Sequence, residues 1–356
     1  MTGVLPSQHL RALIAEGAIA ADLPIEPAQV QPASLDLRLG AFAVRVRASF
    51  LAGKNRRVED RLADFEMHRF PLDGGAVLEK GCVYLVPLME RLALPEGLEG
   101  AANAKSSTGR LDLLTRTTCD GATEFDRVPA GYGGPLWAEV CPRSFSVLVR
   151  PGMRLNQLRL RGGEAWLSDD ELRALHARSA ISDEAAIDDG LAFSVDLSGP
   201  LAGWRAKPHA GVVDLSRVGH YAPQDFWDEV RPEGGRIILD PGAFYILMSR
   251  EAVTVPPDVA AEMAPFLAMV GEFRVHYAGF FDPGFGAGVP SRGVLEVRAH
   301  EAPFALEHGQ VVGRLVFERM AEVPDLLYGR GIASNYQGQA LRLSKHFRDT
   351  EVSAAG

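Results

Sequence analysis

Residues 81–98 read GCVYLVPLMERLALPEGL, and the same pattern returns 161 residues later as GAFYILMSREAVTVPPDV at 242–259. Each copy has two short runs of apolar and β-branched residues, separated by charged residues and followed by proline. This pattern is typical of short antiparallel strands joined by tight turns. A match of this length at a fixed spacing indicates an internal duplication of a β-rich unit.

Three further matches extend the duplication in both directions, with offsets between 162 and 157 residues. They join LRALIAEGAIA at 10–20 to LRALHARSAIS at 172–182, SLDLRLG at 34–40 to SVDLSG at 194–199, and PLWAEV and PGMRLNQLRL at 135–140 and 151–160 to RGVLEV and HGQVVGRLVF at 292–297 and 308–317. We therefore expect two units, at residues 1–165 and 166–356. Each begins with an amphipathic helix and continues as short strands without long helices between them.

This order of elements predicts a mainly β fold, with two tandem antiparallel β-barrels or sandwiches and short peripheral helices. The segment at 169–180 is expected to be the helix that starts the second unit. Segments 51–75 and 183–232 have mixed charge and no clear period, so we expect irregular insertions there.

The composition restricts the class of ligand. The chain of 356 residues is 47% hydrophobic and carries a formal charge of −9, which argues against a protein that binds nucleic-acid polymers. Its three cysteines have neither disulfide-framework nor zinc-site spacing. The sequence has no apolar run of about 18 residues and no signal-peptide core. We expect a cytoplasmic protein, not bound to membranes, with a small anionic ligand.

One short segment, NAKSSTGR at 103–110, carries the groups that such a ligand needs. Lys105 and Arg110 offer charge-assisted hydrogen bonds, and the hydroxyl groups of Ser106 and Ser107 add neutral donors. The spacing is not that of a P-loop. At the same offset of 161 the second copy reads APFLAMVGE and lacks all four donors.

The second copy has polar residues of its own that the first copy lacks. It reads HYAGFFDPGFGAG at 276–288 and continues to Glu296, whereas the first copy reads FDRVPAGYGG at 125–134, with Pro129 in the place of Asp282. The two copies therefore look like complementary parts of one site.

These motifs, in this order, resemble those of the dCTP deaminase branch of the trimeric dUTPase-like superfamily, in a tandem fused form. The resemblance covers most of both halves. It rests on QPASLDLRLG at 31–40, KSSTGR at 105–110, PGM at 151–153, AGFFDPGFGAG at 278–288 followed by VLEV at 294–297, and SNYQGQ at 334–339.

The resemblance implies roles for individual residues. Glu296 would be the catalytic acid and base, although Glu139 at the equivalent position of the first copy stays open as an alternative. The substrate-binding residues would be Lys105, Ser106, Ser107 and Arg110 at the triphosphate, Asp282 at the 3′-hydroxyl group, Ala278 at the base, and Tyr336 and Gln339 in a tail that closes over the nucleotide.

Removal of the 4-amino group of cytosine by water requires several proton transfers, which one carboxyl group with a raised pKa can serve. Zinc-dependent deaminases use H-x-E and P-C-x-x-C motifs, and neither occurs here. We expect a reaction without zinc or other protein-bound metal, with Mg²⁺ present only as the counterion of the triphosphate. His276 is interpreted as a packed strand residue.

The expected reaction converts dCTP and water to dUTP and ammonia, which would supply thymidylate synthesis. Two alternatives stay open. One is a dUTP diphosphatase, alone or combined with deamination, and the other is a non-catalytic module that senses nucleotides. By resemblance the enzyme would form a homo-oligomer, and dTTP is a candidate inhibitor.

Overall fold

Short strands make up most of the regular structure of the computed structural model, which describes residues 2–264, the backbone of 273–276, and residues 279–299, 301–329 and 341–349. The helices are α1 (Ser7–Ala15), α2 (Val58–Leu62), α3 (Ser106–Gly109) and α4 (Asp169–Arg178), with 3-10 turns at Pro27–Gln29 and Pro223–Asp225. This confirms the predicted mainly β class with few helices.

The strands of the first half are β1 (Gly3–Val4), β2 (Ile19–Ala21), β3 (Leu35–Arg38), β4 (Phe42–Val46), β5 (Glu66–Pro71), β6 (Ala76–Leu78), β7 (Val83–Ala93), β8 (Leu98–Ala104), β9 (Leu113–Cys119), β10 (Arg127–Val128), β11 (Gly133–Pro142), β12 (Val147–Val149) and β13 (Arg154–Gly162). Those of the second half are β14 (Leu191–Ser194), β15 (Gly203–Ala206), β16 (Val213–Asp214), β17 (Trp227–Val230), β18 (Arg236–Leu239), β19 (Phe244–Val253), β20 (Val259–Ala264), β21 (Phe273–His276), β22 (Phe280–Phe281), β23 (Ser291–Ala299), β24 (Phe304–Glu307) and β25 (Val311–Arg319).

The sheets of the two halves have corresponding strand orders. In the first half the orders are β1-β13-β8-β10, with β3 beside β13, and β5-β4-β7-β11-β9. In the second half they are β14-β25-β20-β22 and β17-β15-β19-β23-β21, and the pair β24-β18 matches β12-β6. Among the described strands all ladders are antiparallel except that of β12 and β16.

The expectation of irregular structure at 51–75 and 183–232 was wrong. The first segment contains α2 and β5, and the second contains β14, β15, β16 and β17. β5 is an edge strand with exposed or half-exposed side chains, so it has no buried face that would produce an alternating pattern. β16 has only two residues and pairs with β12 of the first half.

Helix α4 begins where a capping box predicts a helix start. The Ser168 hydroxyl oxygen accepts a hydrogen bond from the backbone N–H of Glu171, and the Glu171 carboxylate accepts one from the backbone N–H of Ser168. Leu172 and Leu175 bury the apolar side of this helix against the core of the second half. The predicted helix at 169–180 is therefore confirmed, with an end two residues earlier.

Side chains along β13 alternate between the core of the first half and the interface with the second half. Leu158 and Leu160 point into the core of the first half, whereas Arg159 and Arg161 are on the other side of the sheet and are also buried. Both guanidinium groups pair with Glu318 of β25 in the second half, at 2.8 and 2.7 Å. An arginine side of a strand, which would ordinarily face water, is covered here by the other half of the chain.

The segment 341–349 belongs to the second half (residues 166–356). It packs against the first half (residues 1–165) and against other parts of the second half. Phe347 is buried in an aromatic cluster with Phe226 and Trp227 of the second half, and Phe145 of the first half contacts the same two rings. Phe347 also forms a parallel bridge with Tyr221. This anchor brings the residues before it to the end of β8, where the KSSTGR segment lies.

Candidate active site

The KSSTGR segment follows β8 directly and forms α3. Its first residue remains tied to β13, because the backbone N–H of Lys105 donates to the carbonyl oxygen of Leu155 at 2.8 Å. The carbonyl oxygen of Ser107 accepts a hydrogen bond of 2.7 Å from the Ser344 hydroxyl group, which His346 contacts at 2.9 Å. The segment is therefore held by the first half on one side and by residues 341–349 on the other.

A group of cations surrounds the start of this segment. Lys105 bonds to the buried carboxylate of Asp36, and Arg154 lies 3.8 Å from the same carboxylate. Burial lowers the pKa of Lys345, and the nearby charge of Lys105 lowers this pKa further. Arg154 also lies 3.7 Å from the carboxylate of Glu26. Three cations thus meet two carboxylates, which leaves an excess of positive charge suited to a phosphate chain. Lys345 and Asp36 were not among the predicted site residues.

Arg110 extends from the other end of the segment toward the second half. Its Nε donates to the Ser106 hydroxyl oxygen at 3.1 Å, and its Nη1 donates to the carbonyl oxygen of Arg342 at 2.9 Å. The side chain is nearly fully buried. Its positive charge acts on the carboxyl group of Glu296, so the structure brings these two predicted residues together from different halves.

Glu296 lies in the middle of β23, paired across the ladders with Ile246 of β19 and with the backbone of His276 in β21. Burial raises the pKa of Glu296 well above its ordinary value, Arg110 opposes this shift, and the charge of Asp112 adds to it. Among the described residues no hydrogen bond or ion pair is found for this carboxyl group. A buried carboxyl group with a raised pKa is a candidate for general acid and base catalysis.

A buried ion pair joins the two halves beside Glu296. Arg298, two residues further along β23, bonds to the Asp112 carboxylate and to the carbonyl oxygen of Gly242. Asp112 adopts a left-handed backbone conformation (φ 53°) after α3 and accepts a second hydrogen bond from the Ser144 hydroxyl group at 2.6 Å. The pair fixes the distance between the KSSTGR segment and β23.

Asp282 lies at the start of the turn after β22. Burial raises its pKa to about 6, whereas the positive charges of Arg159 and Lys105 lower it and the charge of Asp36 raises it. The structure therefore brings Asp282 of the second half near Lys105 of the first, and the nearest cation is Arg159, at 3.6 Å. Sequence reasoning missed Arg159.

Glu139, the alternative catalytic residue, has different surroundings. Its carboxylate is paired with Arg116 of the neighbouring strand β9, and the guanidinium carbon of Arg116 lies 3.7 Å from the ring centre of Phe125. The two candidate carboxyl groups thus differ in their surroundings, since Glu139 is paired with an arginine and no ion pair is found for Glu296 among the described residues.

Three predicted site residues, Ala278, Tyr336 and Gln339, lie outside the described residues. Within the described part of the chain there is no group of three or more His, Cys, Asp or Glu side chains that could hold a metal ion. In the same part, no helix has the length and apolar composition needed to cross a membrane.

The candidate site therefore has two ends, which the KSSTGR segment joins. One end has a cation excess suited to phosphates, at Lys105, Lys345 and Arg154, and the other has a buried carboxyl group, Glu296. Such an arrangement can bind an anionic chain and transfer protons to a neutral ring at its other end.

Comparisons with known proteins identify the family. Family models of 2′-deoxycytidine 5′-triphosphate deaminase match residues 1–164 (N-terminal domain) and 168–347 (C-terminal domain). The crystal structure of 2′-deoxycytidine 5′-triphosphate deaminase from Agrobacterium tumefaciens is 53% identical, with a TM-score of 0.88, and the match covers 91% of this chain and 99% of that one.

Shorter relatives match part of the chain. The "dCTP deaminase, dUMP-forming" of Mycobacterium tuberculosis is 31% identical over 158 residues, which is 44% of this chain and 78% of the relative. The dCTP deaminase of Haloarcula marismortui is 31% identical over 147 residues, which is 38% of this chain and 71% of the relative.

Proposed function

The chain belongs to the 2′-deoxycytidine 5′-triphosphate deaminase family and deaminates dCTP, and we propose that Glu296 carries the protons of this reaction without the help of zinc. The observation that supports this proposal best is the position of Glu296. It is a buried carboxyl group with a raised pKa, next to an arginine of the anion-binding segment from the other half.

Burial raises the pKa of Glu296 well above its ordinary value, so its carboxyl group keeps a proton to a higher pH than an exposed carboxyl group does. In the proposed reaction Glu296 first donates this proton to ring nitrogen N3 of cytosine, which makes C4 electrophilic. The resulting carboxylate then takes a proton from the water that attacks C4. It passes this proton to the departing amino group, which leaves as ammonia, and accepts the hydroxyl proton as the C4 carbonyl forms. The carboxyl group ends as it began, and each transfer is general acid or base catalysis by one group.

Arg110 has two tasks in this proposal. Its charge stabilises the carboxylate form of Glu296 after the first proton transfer, because it opposes the effect of burial on that group's pKa. Its hydrogen bond to Ser106 also ties the catalytic end to the segment that binds the triphosphate. Ser106 and Ser107 belong to that segment and would contact the phosphates through hydroxyl and amide groups.

Lys105, Lys345 and Arg154 are proposed to neutralise the triphosphate. Mg²⁺ would enter with the nucleotide as its counterion, since oxygen atoms of phosphates are preferred ligands of this ion. In the free protein Asp36 holds Lys105 in place, so binding of the phosphates would exchange one anionic partner for another.

We further propose that the two halves are copies of one unit, each a dUTPase-like barrel. Their corresponding strand orders support this. Under this proposal the first copy kept the anion-binding segment and the second kept the carboxyl group and the DPG turn. One complete site then forms between them within a single chain.

The product is proposed to be dUTP. A second candidate product, dUMP, is favoured by one observation, namely that relatives 29–31% identical to this chain are named as dUMP-forming. Forming dUMP would require a second water to attack the α-phosphate. The experiment is to incubate the protein with dCTP and Mg²⁺ and to measure ammonia and pyrophosphate separately. Ammonia with dUTP supports the proposal, and equal amounts of ammonia and pyrophosphate with dUMP support the second candidate.

The same experiment tests the other parts of the proposal. Nucleotide binding without ammonia would mean a sensing module and would contradict the proposed function. Dialysis against a zinc chelator, followed by metal analysis and repetition with excess Mg²⁺, tests the role of zinc. Activity that is lost on dialysis and returns only with added zinc would refute a zinc-independent reaction.

A further inference from the structure

The guanidinium group of Arg159 crosses from the first half into the second. Its Nη1 lies 2.8 Å from the Glu318 carboxylate and 3.4 Å from the carbonyl oxygen of Ala261. Its central carbon lies 4.0 Å from the ring centre of Phe280. The side chain has no exposed surface. An ion pair on one edge and a ring against the guanidinium plane therefore fix the orientation of this group.

The other edge of the same guanidinium group faces Asp282. Nη2 is 3.6 Å from Oδ1 of Asp282, which is an ion-pair distance but longer than a hydrogen bond. Among the described residues, Nε and Nη2 of Arg159 and Oδ1 of Asp282 make no hydrogen bond, although all three atoms are buried. The guanidinium group of Arg159 thus attracts the Asp282 carboxylate, and Oδ1 of Asp282 can still accept a hydrogen bond.

We propose that Arg159 is a positioning residue, which keeps the Asp282 carboxylate ionised and oriented to accept a hydrogen bond from the 3′-hydroxyl group of the bound nucleotide. This inference rests on the proposed function, in which Asp282 contacts the sugar. It adds a residue of the first half to the recognition of the sugar by the second half.

The charges around Asp282 support this role. Burial raises the pKa of Asp282 to about 6, and the positive charge of Arg159 is the strongest influence that opposes this rise. Lys105 lowers the pKa as well, and Asp36 raises it. Without Arg159 the pKa would rise further, and a larger fraction of Asp282 would lose the charge that strengthens a hydrogen bond to a hydroxyl group.

The chain provides a matched control for this inference. Arg161 is two residues away on the same side of β13, is also buried, and pairs with the same Glu318 at 2.7 Å, but its other partner is Glu99 rather than Asp282. Removing either arginine leaves Glu318 with one guanidinium partner. The variants Arg159→Met and Arg161→Met therefore make comparable changes to the interface, and only the first removes the neighbour of Asp282.

The experiment compares deamination of dCTP with that of 2′,3′-dideoxycytidine triphosphate, which lacks the 3′-hydroxyl group. We expect Arg159→Met to raise KM for dCTP by about tenfold, the size of a lost hydrogen bond to a charged group, with kcat nearly unchanged. The kinetics with the dideoxy substrate should change little, so the preference for dCTP falls about tenfold. Arg161→Met should keep the preference of the wild-type protein.

Thermal unfolding of each variant shows whether it is folded. If Arg159→Met does not fold, Arg159→Lys keeps a positive charge toward Glu318 but cannot serve both carboxylates at once, and it should lower the preference as well. A folded variant of Arg159 with the wild-type preference overturns the inference, and so does an equal loss of preference in Arg161→Met. A wild-type protein that releases no ammonia from dCTP overturns the proposed function itself, which is a distinguishable result.

Discussion

Replacement of Glu296 by glutamine tests the central step of the proposed reaction. The side chain of glutamine has nearly the same size as that of the protonated carboxyl group, but it cannot gain or lose a proton near neutral pH. Among the described residues the Glu296 carboxyl group has no hydrogen-bond partner whose geometry the change would disturb. The variant should therefore fold and bind dCTP while losing proton transfer.

The expected loss follows from the number of transfers that pass through this group. Donation to N3 and abstraction from water each contribute about 10²–10⁴-fold to the rate of such reactions. Because both depend on Glu296, we expect kcat to fall by at least about 10⁴-fold, with the dissociation constant for dCTP changed less than about threefold. Ammonia release in single-turnover experiments measures the first quantity, and calorimetric titration with dCTP measures the second.

The same variant has a predictable effect on stability. Because the pKa of Glu296 is raised in the folded protein, its contribution to stability is fully present below the ordinary carboxyl pKa of about 4.3. This contribution is lost as the pH rises from that value through the raised folded-state pKa, because the unfolded chain releases the proton at a lower pH than the folded chain does. The Glu296→Gln variant has no titrating group at this position, so its stability does not fall in this way as the pH rises. Its urea midpoint should exceed that of the wild-type protein increasingly as the pH is raised above about 4.

Glu139→Gln is the matched control, since Glu139 lies at the equivalent position of the first half and is paired with Arg116. We expect turnover within about twofold of the wild-type value in this variant. Normal turnover in Glu296→Gln, together with a large loss in Glu139→Gln, would refute the assignment and transfer the role to Glu139. A large loss in both variants would contradict the proposed division of tasks between the halves.

Two more changes test the anion-binding segment and the ion pair beside Glu296. Lys105→Met should raise KM for dCTP by about tenfold or more, because a charge-assisted contact to the triphosphate is lost. Deamination of deoxycytidine, which has no phosphates, should change little. Equal effects on both substrates would contradict the phosphate assignment. Arg298→Met leaves the buried carboxyl group of Asp112 without its ion-pair partner and should lower the free energy of unfolding by about 3 kcal/mol in urea titrations. A second change, Asp112→Asn, should restore part of that loss, and strictly additive effects would argue against coupling of the pair.

The sequence predicted those parts of the fold that depend on local pattern. The apolar and β-branched runs at β7 and β19 are examples, because most of their residues are buried. The helices α1 and α4 are further examples, because each has a buried apolar side. The strands β5 and β16 were missed, since one is an exposed edge and the other is two residues that pair with the opposite half. Pairing between distant segments leaves no periodic signal in such short strands.

For the site, the sequence predicted residue types but not their partners. The loss of anion donors in the second copy pointed to the KSSTGR segment, and the structure does place its Arg110 beside Glu296. Lys345 and Asp36 carry no comparable signal, because only the folded chain brings the segment 341–349 to the end of β8. Arg159 was missed for the opposite reason. In the run RLNQLRLRG, alternation predicts a water-facing arginine side, and no local pattern shows that another sheet covers it.

The covered side of β13 also explains why a first half contacts a second half, and not another first half. Arg161 and Glu318 are 157 residues apart, the same offset as the strands PGMRLNQLRL and HGQVVGRLVF around them, so under the proposed duplication they occupy corresponding positions. Contact between two first halves through this side would bury arginine against arginine, and contact between two second halves would bury glutamate against glutamate. Each would leave buried charges without a counterion, which costs several kcal/mol per group. Only the unlike pair neutralises both positions, as the 2.7 Å contact does. The charges that join the halves thus select the arrangement in which an anion-binding segment meets a proton-carrying carboxyl group, and they disfavour those in which two like fragments of the site would meet.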